Sequence, residues 1–93
     1  AYAQVDLNKA SAEEYELWDD ELNQIWARLK ETLDEDTMKK LTEEERQWVA
    51  EKEAAIKEAG AECEGGSMQP MLENLKGAEL TRERVYELAD MLK

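Results

Sequence analysis

Ninety-three residues make one domain with a thin core, since so short a chain buries only about 60–65% of its unfolded surface. Twenty-four acidic against 12 basic residues leave a net charge of −12, which repels phosphate backbones and excludes nucleic acid as a partner. The absence of His and the single Cys63 exclude Ser–His and Cys–His catalysis, the common zinc sites and an internal disulfide, and no apolar run approaches the roughly 18 residues of a membrane span.

A hydrophobic content of 42% with three Trp separates the chain from a disordered acidic tail. The opening Ala1-Tyr2-Ala3 is similar to the A-x-A end of a secretory signal. Charge is spread evenly: residues 1–33 carry −5, residues 34–60 carry −4 and residues 61–93 carry −3, so no separate charged tail is expected.

The first helix is predicted over about 8–33. Tyr15, Trp18, Leu22, Ile25, Leu29 and Leu33 recur at three- and four-residue steps and define one face, with Trp26 beside it. Its start lies near Asp6 or Ser11, the latter forming a capping box with Glu14. Asp34-Glu35-Asp36 ends this helix and suits the positive end of the next, with Asp36 as N-cap.

The second helix is predicted over 37–59. Met38, Leu41, Trp48, Ala55, Ile56 and Ala59 share a side, interrupted by Glu45 and Lys52. Glu35–Lys39, Asp36–Lys40 and Glu53–Lys57 have the spacing and orientation of favourable helical ion pairs. Gly60 is expected to stop the helix, and Gly65-Gly66 marks the following turn.

The third helix is predicted over 68–92, with Ser67 as N-cap and Pro70 tolerated in the first turn. Met71, Leu72, Leu75, Ala78, Val85, Leu88, Ala89 and Leu92 supply its apolar face, and Gly77 with Thr81 predicts a kink or break near 76–81. Three long helices with short turns imply an all-α, antiparallel up-down-up bundle. The thin core leaves room for self-association as a homo-oligomer.

Four fragments along the chain resemble one family. Asp19-Asp20-Glu21-Leu22-Asn23-Gln24-Ile25-Trp26 is similar to the D-x-E-L-N-x-x-[YW] signature of the lysozyme inhibitor LprI family, small exported helical proteins of bacteria. Leu41, Trp48, Val49, Lys52 and Glu53 resemble its L-x(6)-W-[IV]-x-x-[RK]-[DE]. Gly65-Gly66-Ser67 is similar to its G-G-S turn, and Leu80-Thr81 with Arg84 and Leu88 to its closing L-T-x-x-R-x-x-x-L. The resemblance implies export and lysozyme inhibition. Three departures stand out: Glu45 where the family has Gln, Lys52 where it has Arg, and no cysteines near Ile56 and Lys76, where its common pair falls.

The motif residues Asp19, Glu21, Leu22, Asn23, Trp26, Trp48, Lys52, Glu53, Thr81 and Arg84 are read as structural. Asp19, Glu21 and Asn23 could face a cationic partner, but the favoured reading pairs Asp19 or Asn23 with Lys52 beside Trp48, fixing helix register. Trp18, Trp26 and Trp48 sit at core spacing, with Trp26 the best candidate for an exposed anchor. Asp34-Glu35-Asp36 and Glu43-Glu44-Glu45 are read as solvated helix starts rather than calcium ligands, since no EF-hand loop is present. Cys63, between Glu62 and Glu64, is read as unreactive.

No catalytic, metal or cofactor residues are assigned, and the chain is read as a non-enzyme. Its expected function is a non-catalytic exported binding protein whose acidic surface docks on a basic protein such as lysozyme. The alternative is a small envelope structural or interaction module that binds another partner.

Overall fold

The computed structural model describes residues 3–93; Ala1 and Tyr2, which open the signal-like tripeptide, lie outside the described residues. Three helices follow one another: α1 (Gln4–Thr32), α2 (Glu35–Ala61) and α3 (Gln69–Asp90). Among the described residues there is no strand. Successive helices run in opposite directions, so α1 and α3 are parallel. Cross-helix contacts climb both helices together, from Gln4 with Met71, through Ser11 with Asn74 and Tyr15 with Gly77, to Trp18 with Tyr86. The central helix is α3, which packs along α1 and over a shorter interface along α2. The molecule measures 49 × 23 × 14 Å.

The α1–α2 turn gathers the apolar core. Leu22, Ile25 and Leu29 of α1 meet Leu41 of α2 and Val85 and Leu88 of α3. Trp18, Trp26, Leu33, Met38, Trp48, Ala89 and Leu92 pack around them, half-buried. Each of the buried aliphatic side chains contributes about 1.5–3 kcal/mol. Farther from this turn the buried residues become small or polar: Ser11, Gly60, Gly77, Ala78 and Thr81. Those small residues bring backbones close. A Cβ on Gly77 would stand 2.5 Å from the Tyr15 ring, and one on Gly60 would stand 2.7 Å from Glu73 Cγ.

Several helix ends differ from expectation. α1 starts four residues earlier than about residue 8, behind Ala3, whose N–H donates to Asp6 Oδ2 at 3.3 Å. Ser11 does not cap; it is buried inside the helix, and its Oγ donates back to the Asn8 carbonyl at 2.9 Å. The N-cap of α2 is Asp34 rather than Asp36, with Asp34 Oδ1 accepting from the Thr37 N–H at 2.7 Å. That hydrogen bond holds the Asp34 carboxyl below its ordinary value. The Asp34 contribution to folding is therefore complete above the ordinary aspartate value of 3.8 and is lost as pH falls below it through the lowered folded value.

Gly60 does not stop α2, which continues to Ala61; the glycine is used for the close approach to α3. The positive φ in the connection belongs to Gly65, at 78°. Ser67 does not cap α3, which begins at Gln69 behind Met68 with Pro70 in the first turn. The break expected near 76–81 does not occur. α3 runs unbroken through Gly77 and Thr81 because both are buried against neighbouring helices. Leu75, read as core, is 42% exposed.

Candidate functional site

The most buried charge in the molecule is Arg84, only 4% exposed. Its place on α3 turns the guanidinium toward α2. There Nε donates to Glu45 Oε1 at 2.7 Å and Nη1 donates to Glu44 Oε1 at 3.2 Å. Burial lowers the pKa of this group, but the hydrogen bonds and charges of Glu45 and Glu44 outweigh it, and the net direction is upward. Arg84 is therefore a permanent cation tying α3 to α2. Arg84 Nη2 and Thr81 Oγ1 are buried with no hydrogen-bond partner among the described residues.

From Arg84 a chain of cation–aromatic contacts crosses the bundle. The guanidinium lies 5.9 Å from the Trp48 ring centre. Lys52, one turn farther along α2, places its Nζ 5.0 Å from the same ring and 5.4 Å from the Tyr15 ring on α1. Such contacts contribute about 0.5–2 kcal/mol each, depending on desolvation. Tyr15 then rests against Gly77 of α3. All three helices are thereby linked through Arg84, Trp48, Lys52 and Tyr15.

The structure thus brings together Trp48, Lys52 and Arg84, with Thr81 buried one turn before Arg84. Leu22 belongs to the core, and Trp26 is half-buried against it. Asp19 borders an open groove with Tyr15 and Lys52 but makes no ion pair with Lys52. Asn23 is exposed and makes no hydrogen bond to Lys52 among the described residues; the Lys52 ammonium sits instead between the Trp48 and Tyr15 rings. Glu21 and Glu53 are exposed. The expected pairs of Lys39, Lys40 and Lys57 do not form among the described residues; α2 carries Arg46–Glu43 at 2.8 Å instead.

Two participants escape a reading of the sequence. Glu45 is no solvated helix start: it lies well inside α2 and faces Arg84, and its interruption of the apolar stripe was the available signal. Tyr86 is 59% exposed, yet its ring meets Trp18 edge-on at 6.0 Å and 67°. Among the described residues it, rather than Trp26, is the exposed aromatic. Cys63 is a half-buried free thiol in the α2–α3 connection.

The outer surface of α1 is the most one-sided in charge. Between Lys9 and Arg28 stand Glu13, Glu14, Glu16, Asp19, Asp20 and Glu21 with no basic residue. Among the described residues, none of these six carboxylates takes part in an ion pair. Among the described residues, no helix is long and apolar enough to cross a membrane.

Comparison with known proteins agrees with the motif fragments. Residues 1–88 match the family described as Lysozyme inhibitor LprI. An uncharacterized protein of Rhizobium meliloti (strain 1021) is 34% identical over 105 aligned positions, which cover 99% of this chain and 76% of that protein. No solved structure matches the chain. With nearly its whole length matched, the chain belongs to the lysozyme inhibitor LprI family.

Proposed function

We propose that the protein is an exported, non-catalytic inhibitor that docks its acidic surface on a basic protein such as lysozyme and acts by steric occlusion. The observation that carries the reading is the run of six unpaired carboxylates on α1 between Lys9 and Arg28. Three like-charge neighbours in it, Glu13–Glu16, Glu16–Asp19 and Glu16–Asp20, each cost the helix about 0.2–0.5 kcal/mol. A cationic partner would relieve that repulsion, and the field of a −12 molecule would speed the encounter. Family membership supports lysozyme as the partner and export as the route.

The test is a cell-wall lysis assay with lysozyme and increasing amounts of the pure protein, run at about 50 and 150 mM salt, between which exposed charges become more screened. Inhibition that weakens at the higher salt but persists is the expected result. Full lytic activity at a large molar excess would overturn the proposal. Inhibition that vanishes at the higher salt would reduce it to unspecific polyanion binding.

A further inference from the structure

Along the α1–α3 pair, exposed and half-buried apolar residues recur in register. Trp18 and Tyr86 form the aromatic pair described above. Eleven residues earlier on each helix stand Leu7, 38% exposed, and Leu75, 42% exposed. A step of 11 residues is close to three full turns, so Leu7 shares a helical face with Trp18, and Leu75 shares one with Tyr86, about 16 Å along the axis. Because α1 and α3 are parallel, the two pairs lie at equivalent heights of one strip. Carboxylates interleave it: Glu14 and Glu21 are one turn either side of Trp18, and Glu79 and Glu83 precede Tyr86 on its own face. All four are exposed; Arg82 stands among them, and Glu79 is paired with Lys76 at 3.6 Å.

We infer that this strip, centred on Tyr86 and Trp18, is the face on which the basic partner of the proposed function docks. The inference rests on that reading and names its surface. An exposed aromatic backed by a second ring, with charges around it, is the usual make-up of an interface anchor and its rim. Charge selects the occupant. A second copy would set one −12 molecule against another with Glu14, Glu21, Glu79 and Glu83 crowded at the contact. A partner offering an apolar contact flanked by Lys and Arg matches both features.

The experiment measures binding of wild type, Tyr86→Ala and Val5→Ser to two basic proteins, lysozyme and cytochrome c, with sedimentation of each variant alone. Val5 is 71% exposed near the start of α1, outside both the strip and the acidic run, so its variant removes apolar surface elsewhere. Both sites are exposed enough that the fold is retained, which circular dichroism checks. Tyr86→Ala is expected to weaken lysozyme binding at least about tenfold, and Val5→Ser to change it less than twofold. Wild type that binds lysozyme while Tyr86→Ala binds equally well would overturn the strip and leave the proposed function standing. Binding to cytochrome c alone, lost in Tyr86→Ala, would support the strip and remove lysozyme as the partner. Binding to neither protein would overturn both. A wild-type dimer that Tyr86→Ala dissolves would overturn the basic partner in favour of a second copy.

Discussion

Thr81 and Arg84 stand one turn apart on α3, both buried, and they illustrate two fates of a polar group removed from water. Arg84 keeps two carboxylates and an aromatic face as compensation. Thr81 is fully buried with its hydroxyl unpartnered, and burying such a group without a hydrogen bond is unfavourable. Thr81→Val keeps the branched shape and removes the unpaired oxygen. We expect it to raise stability by about 1 kcal/mol, read as a shift of the urea midpoint at unchanged slope. A loss of similar size would show that the hydroxyl has a partner in solution and that the residue serves more than packing. Arg84 allows no comparable exchange for Lys, because its Nε and Nη1 reach two different carboxylates as a fork.

Pairs of elements are held at distances set by their smallest residues. α1 and α3 meet where Tyr15 lies over Gly77, and the same ring lies 5.4 Å below Lys52. Gly77→Ala gains helix propensity of about 1 kcal/mol but places a methyl 2.5 Å from the ring, an overlap that costs about 1–3 kcal/mol. The second effect is larger, so the variant is expected to lose stability in urea unfolding. In a Tyr15→Ala background the overlap is gone and the same Gly77→Ala change should become stabilising. An unchanged sign in both backgrounds would mean that the contact does not set the α1–α3 spacing. This geometry also explains what the sequence discloses about elements. The three helices are legible because Tyr15, Trp18, Leu22, Ile25, Leu29 and Leu33, and their counterparts, repeat with the helical period. Gly77 reads locally as a weak point, and only the ring of Tyr15, 62 residues away, reveals it as a contact that keeps α3 whole. The caps were misplaced for a related reason. Asp34 and Asp36 are chemically equivalent as N-caps, and the choice depends on which residue leaves helical geometry, here Asp34 at ψ 165°. The cluster around Arg84 is half legible. Trp48, Lys52, Thr81 and Arg84 stood out by motif, whereas Glu45 as partner of Arg84 is a pairing across 39 positions that no local pattern specifies. Tyr86 was invisible because one aromatic among charged neighbours fits neither a core stripe nor a polar face.

At the scale of the whole molecule, folding and docking should respond to salt in opposite directions. The chain carries −12, and its exposed ion pairs, Arg46–Glu43, Lys76–Glu79 and Lys93–Asp90, are short-range contacts of slight worth. The most buried pair, Arg84 with Glu45, is shielded from mobile ions, with side chains 4% and 15% exposed. Added salt therefore relieves repulsion among the acids of α1 while removing little attraction. Raising sodium chloride from about 10 to 500 mM shortens the screening length from roughly 30 Å to under 8 Å, from beyond the molecule's 23 Å width to well within it. The melting temperature at neutral pH should rise over that range, while affinity for a basic partner falls. Chloride is the appropriate salt, since sulfate strengthens apolar burial in any protein and would mimic the effect. A melting temperature that stays flat or falls would mean that exposed ion pairs outweigh the repulsion. The acidic run on α1 would then impose no net cost, and its relief by a cationic partner would contribute nothing to binding.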